Sequence, residues 1–163
     1  MSRNFLVACS AFTALSVSAA GVASAFTARS VRTWYPGLRK PLGNPPAKYF
    51  GPVWSVLYIL MTIAACIVWR MGAGWVAASL AIIVFLIQLA LNAAWSMLFF
   101  GLRAPALALI EISLLWVAIL VNVVLFWKIS PLSGALLIPY LIWVTYATYL
   151  NAGIWHLNKR STN

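Results

Sequence analysis

The side chains that could do chemistry in this chain are few, and most of them are aromatic. Its 163 residues hold one acid, Glu111, and one histidine, His156. Paired-carboxylate catalysis, a metal centre, a Ser/His/Asp set and a glycine-rich phosphate loop each need residues that are missing here. No catalytic residue, metal or cofactor is therefore expected, and a pump relaying protons through acids is poorly supported. What remains is a set of nine tryptophans with a few amides and hydroxyls. Trp54 and Tyr58 stand four apart, on one face of a helix. Gln88, Asn92, Trp95, Ser96 and Phe99 make a second stripe, polar at its centre, and Tyr140, Trp143, Ala147 and Asn151 make a third. The small Ala147 beside Trp143 leaves room for a ligand or for a close helix. On spacing alone, these stripes read either as helix packing with polar glue or as the walls of an apolar pocket.

The elements that carry these stripes are set by composition. The chain is 64% hydrophobic and 7% charged, whereas soluble domains are roughly half apolar and about a quarter charged. The charges punctuate long apolar runs at 5–28, 49–69, 75–100, 104–127 and 131–156, and the fourth run holds only Glu111. Each reaches the ~20 residues that cross a hydrocarbon core as a helix. The expected fold is all-α, a single membrane domain over 1–163 built as a bundle of five transmembrane helices. Arg3 followed by an apolar run and Ala23-Ser24-Ala25 resembles a secretory signal, but the run is long enough to span and is expected to stay as the first helix. Gly72, Gly74 and Gly101 mark turns, Ser130-Pro131 reads as an N-cap with a first-turn proline, Pro105 plays the same first-turn part, and Pro139 predicts a kink.

The formal net charge is +10, yet the basic residues lie between apolar runs and not on a soluble face, which argues against nucleic acid. They read as headgroup-level flanks that set topology. Arg29, Arg32, Arg39, Lys40, Lys48, Arg103, Lys159 and Arg160 fall on one side, and Arg3, Arg70 and Lys128 on the other. The first side is expected to face the more negative compartment. The only long connection, 29–48, carries Pro36, Pro41, Pro45 and Pro46 together with Trp34 and Tyr35, and is expected to form a structured cover over one end of the bundle. Trp69, Trp75, Trp127 and Trp155 read as interfacial anchors, while Trp54, Trp95, Trp116 and Trp143 lie deeper, where an indole N–H wants a partner. Cys9 and Cys66 read as small apolar filler, and His156 as a headgroup-facing residue. Glu111 reads either as a ligand contact or as a structural hydrogen-bonding group. Ala73, Ala77 and Ala81 repeat every four residues, a small-residue face that suits a homodimer through the third helix.

Several motifs in register resemble one family. Trp34-Tyr35-x-x-Leu38-x-Lys40-Pro41, Asn44-Pro45-Pro46 and Gly51-Pro52-Val53-Trp54 with Tyr58 are similar to the first loop and second helix of the TspO/MBR family, which includes tryptophan-rich sensory proteins and translocator proteins. Gln88-Leu89-x-Leu91-Asn92-x-x-Trp95 with Phe99-Phe100-Gly101 is similar to its third helix. Pro139-Tyr140-Leu141-x-Trp143, Ala147-Thr148 and Leu150-Asn151 are similar to its fifth. The resemblance implies a five-helix bundle, commonly dimeric, with a pocket under the first loop that binds porphyrins such as protoporphyrin IX and benzodiazepine-receptor-type ligands. By position it implies Trp34 in the loop cover and Trp54, Tyr58, Asn92, Trp95, Trp143, Ala147 and Leu150 at the ligand. It links Trp54 and Trp143 to light-dependent porphyrin breakdown, and it places Glu111 where an aspartate is common, as a structural acid. Tetrapyrrole regulation or transport is the expected function, with porphyrin photodegradation and export of apolar cations as alternatives. A bacterial membrane, inner or outer, is the expected location, with membrane lipid as a partner. The stretch from Leu150 to His156 lacks the tyrosine and the basic residue of the vertebrate cholesterol motif, so specific cholesterol binding is not expected.

Overall fold

The apolar runs fold as five long helices in a computed structural model that describes residues 3–72 and 76–159. These are α1 (Arg3–Thr33), α2 (Phe50–Gly72), α3 (Val76–Ser96), α4 (Pro105–Ile129) and α5 (Pro131–Asn158), and no strand occurs among the described residues. All five are long and apolar enough to cross a membrane. Helices are the form that satisfies every backbone polar group within one segment, as hydrocarbon requires. Pro105 and Pro131 both sit in a first helical turn, where a missing N–H costs nothing. Ser130 occupies the N-cap of α5, but its side chain makes no capping bond. The chain stays helical through Pro139.

Short connections make α2 to α5 sequential neighbours, and α5 packs most extensively on α4, as α3 also does. Their common core holds Phe85, Ile112, Leu115, Phe126, Leu137 and Tyr140, all essentially without exposure. The Asn122 amide donates to the Ala81 carbonyl at 3.0 Å, tying α4 to α3 where the alanine lets the backbones approach. α1 stands at the edge, with 11% of its most apolar stretch buried against 33% or more in the other spans.

α1 meets α2 closely only over one half of its length. There Phe12 lies edge-on to Trp69 at 6.1 Å and Ser16 and Thr62 share a hydrogen bond of 2.8 Å. Beyond Ser16 a cavity separates the two helices. α1 continues to Thr33, five residues past its uncharged run, and Ser30 donates to the Phe100 carbonyl at 2.5 Å. That carbonyl lies in a π-helical turn, Met97–Gly101, which widens the end of α3. A carbonyl at a helix end without its own backbone donor is thereby satisfied by a side chain from α1.

Candidate ligand-binding cavity

The segment between α1 and α2 folds back over the bundle and is fastened to α5. Single 3-10 turns at Tyr35–Gly37 and Ala47–Tyr49 mark its ends. Tyr35 is buried, and its hydroxyl donates to Asn44 Oδ1 at 2.6 Å. Burial holds the Tyr35 phenol above its ordinary pKa. The Lys40 ammonium lies 4.9 Å from the Tyr35 ring and donates to the Pro36 and Leu38 carbonyls, closing the turn on itself. Tyr146 and Tyr149 of α5 donate to the carbonyls of Gly43 and Leu42. Asn158 both accepts from the Arg39 N–H at 3.1 Å and donates to its carbonyl at 2.9 Å, as a paired strand would. Pro41 lies so close to Gly153 that a β-carbon there would come within 2.7 Å of the proline ring. Gly43 takes φ +82°, a left-handed conformation for which glycine carries no steric penalty.

Under this cover lies a cavity of about 1050 Å³ bounded by α1, α2, α3 and α5. Its inner wall is aromatic. Trp54 of α2 has Trp95 of α3 at 6.4 Å, Tyr58 at 6.1 Å and Tyr140 at 6.1 Å, ring centre to ring centre. Trp95 stacks on Phe99 at 5.4 Å, and Phe50 meets Trp143 edge-on at 6.5 Å. The π turn brings the adjacent Phe99 and Phe100 into the same buried wall, where they pack edge-on at 4.9 Å. Ala147 and Leu150 of α5 complete it, the alanine giving depth beside Trp143.

Behind the rings runs a line of hydrogen bonds. The Tyr58 hydroxyl donates to Asn92 Oδ1 at 2.8 Å, and Asn92 Nδ2 donates to the Tyr140 hydroxyl at 2.7 Å. Trp95 Nε1 donates to Asn151 Oδ1 at 3.1 Å, and the Asn151 amide donates on to the Pro105 carbonyl at 2.7 Å. Trp116 finds its partner in Thr145, 2.7 Å away on α5. Trp143 differs, because its buried Nε1 meets no acceptor in the protein. A buried N–H left unpaired is costly, and this one is closed off by the packing around the indole, whose ring and not its N–H borders the cavity.

Of the residues singled out by sequence, the structure brings Trp54, Tyr58, Asn92, Trp95, Trp143, Ala147 and Leu150 together on one cavity wall. Trp34 is not among the lining residues; it packs edge-on to Phe99 at 5.7 Å, supporting that ring from outside. Gln88 lies buried, with both amide atoms unpartnered, and does not reach the cavity. Glu111 is 8% exposed in the bundle, off the cavity, and neither carboxylate oxygen has a hydrogen-bond partner, so the interhelical bond open to it on sequence is not formed. Ala81 is fully buried against α4, while Ala77 is exposed, so the two face different surroundings; Ala73 lies outside the described residues, as does Trp75. Trp69, Trp127 and Trp155 are exposed at helix ends.

The sequence reading missed the fasteners Tyr146, Tyr149, Gly153 and Asn158. Their spacings of three, four and five along α5 put the first three on one face, a signal that needs a known loop to be meaningful. It also missed the α1 wall, whose small residues carry no chemical signature.

The comparisons with known proteins agree with this architecture. The family described as TspO/MBR matches residues 11–156. A tryptophan-rich protein TspO of Chlorobaculum tepidum is 41% identical over 146 residues, covering 88% of this chain and 90% of the relative. The one from Archaeoglobus fulgidus is 43% identical, over 88% of this chain and 93% of its own. The human translocator protein is 38% identical over 77% of this chain and 75% of its own length. A multi-pass helical membrane protein with a tryptophan-lined cavity, matched by this family from α1 to α5, is a member of it, and the chain belongs to the TspO/MBR family.

Proposed function

We propose that this protein is a receptor or translocator for porphyrins and other flat apolar ligands, bound in the cavity beneath the first loop. The observation that carries the reading is Trp143. Its indole borders the cavity and meets Phe50 edge-on at 6.5 Å, within a wall of stacked and edge-on rings. A hydrophobic macrocycle wants aromatic faces and a few polar groups to orient it. Arg32 and Lys48 at the cavity mouth can meet propionates through charge-assisted hydrogen bonds. The relatives' names, tryptophan-rich sensory protein and translocator protein, support a sensing or transporting role. Export of apolar cations fits less well, because the only acid, Glu111, lies off the cavity wall.

Light- and oxygen-dependent porphyrin breakdown is the second reading. It is favoured by the chain of oxidisable rings in which Trp54 lies within 6.4 Å of both Trp95 and Tyr140.

The test is a protoporphyrin IX titration of purified protein, read by tryptophan quenching in darkness and then under light. Saturable binding in the dark is expected. Trp143→Phe replaces the indole with a smaller ring, and should weaken binding about fivefold, the loss of ~1 kcal/mol of aromatic contact. A product formed only under light and oxygen, and lost in Trp54→Phe, supports the second reading. Absence of saturation above a detergent control overturns the porphyrin reading.

A further inference from the structure

The cavity does not end where the aromatic wall ends. It continues as a furrow between α1 and α2, and the α1 side of that furrow runs from Thr13 to Val31. Those positions span about 27 Å at ~1.5 Å per residue, close to the ~30 Å of a hydrocarbon core. The furrow follows one face of α1 with the spacing 13, 16–17, 20–21, 23–24, 27–28, 31, and no lining residue in this stretch is larger than valine. It opens sideways, since its edge residues Val17, Ile59 and Ile63 are 65%, 59% and 44% exposed. In a membrane, that side faces lipid.

Hydroxyl residues in the furrow do not make it polar. Thr13, Thr27, Ser55 and Thr62 each bond the carbonyl four residues back on their own helix, at 2.7–3.0 Å. Their hydrogen-bonding capacity is turned away from the gap, and apart from the exposed Ser24 hydroxyl the α1 side of it is methyl and methylene. A polar or compact guest would leave the length of such a furrow unused. At the loop end the character changes, because Arg32 and Lys48 line the mouth and both are exposed. Among the described residues no ion pair engages either, the only acidic side chain being Glu111, buried on α4; the Lys48 ammonium lies 5.2 Å from the Tyr49 ring. The furrow thus offers a long apolar channel with two exposed cations at its loop end, at the depth of lipid headgroups.

We infer that this furrow is a binding site for an anionic phospholipid of the surrounding bilayer. One acyl chain lies between α1 and α2, and the phosphate is held by Arg32 and Lys48. The site is the lateral arm of the cavity assigned above, but it requires no porphyrin and is tested without one. Failure here leaves the porphyrin reading untouched, and failure of that reading leaves this one standing.

Native mass spectrometry of delipidated protein, titrated with phosphatidylglycerol or phosphatidylcholine, tests it. A β-carbon added at Gly21 meets nothing within 4 Å, so Gly21→Phe grows into the furrow without displacing the fold. Ser24→Phe, at an exposed lining position, is the second blocking variant. Val22→Phe, on the opposite face of α1, is the control. Wild type should retain a single phosphatidylglycerol in preference to phosphatidylcholine. Each blocking variant should lower that retention about tenfold, the cost of excluding a few buried methylenes, and Val22→Phe should not. The double variant Arg32→Gln, Lys48→Gln should abolish the preference for the anionic head. Equal retention by wild type and both blocking variants, or equal retention of the two lipids by wild type, overturns the assignment and leaves general lipid adsorption as the explanation.

Discussion

Asn92 serves two phenols at once, accepting from Tyr58 and donating to Tyr140. Both partners are buried, so removing the amide strands two hydroxyls and not one. Asn92→Leu should therefore cost ~1–3 kcal/mol through the orphaned groups, seen as a lower melting temperature in detergent. Tyr58→Phe removes one bond and leaves Asn92 its other partner; it should cost nearer ~0.6 kcal/mol, the average for interhelical bonds in membranes. A larger loss in the tyrosine variant than in the asparagine variant would contradict this ordering. Glu111 gives a contrasting expectation. It is off the cavity wall and bonded to nothing, so Glu111→Gln should leave the Kd for protoporphyrin IX unchanged in the same quenching titration.

The first loop behaves as one element because four residues of α5, together with contacts within the loop itself, hold it down. Its attachment at Gly153 is steric, and Gly153→Val should push Pro41 off the helix. The measurable outcome is faster hydrogen exchange across residues 36–46, with α4 unaffected. Its internal closure at Tyr35 depends on a proton. Burial raises this phenol above its usual value of 10.0, so the neutral form is the one the fold prefers. The stabilisation it gives is fully present below that value and is lost as pH rises through the higher folded value. Loop exchange should accelerate above about pH 10, and Tyr35→Phe, with no proton to lose, should flatten that dependence. The loop's aromatic and proline content made a structured cover legible in sequence. Which helix it docks on was not, because Asn158, Tyr149 and Gly153 gain their meaning only from backbone groups and a proline ring more than a hundred residues away.

At the scale of the whole molecule, the basic residues divide between two ends. Among the described residues the loop end carries Arg29, Arg32, Arg39, Lys40, Lys48, Arg103 and Lys159, and the other end carries Arg3, Arg70 and Lys128. By the positive-inside rule the loop is predicted to face the more negative compartment, the cytoplasm in an inner membrane. In a variant with Cys9 and Cys66 replaced by alanine, Arg39→Cys should react with an impermeant maleimide only when the cytoplasmic face is exposed; labelling from the opposite face alone would reverse the orientation.

The sequence by itself determined the class of the fold, because lipid leaves little choice. A run of about twenty apolar residues bounded by charges has to be a helix, and Glu111 is alone as an acid whatever the packing. It also determined which rings could face one another along a single helix, since helical spacing is local. Only the tertiary structure decided which of two faces each helix turns inward, because every face is apolar and hydrophobicity no longer distinguishes them. That is why Trp34 and Trp54, equally prominent in sequence, end outside and inside the cavity. The same ambiguity hid the furrow beside α1, whose small residues become a channel only where α2 leans away from them.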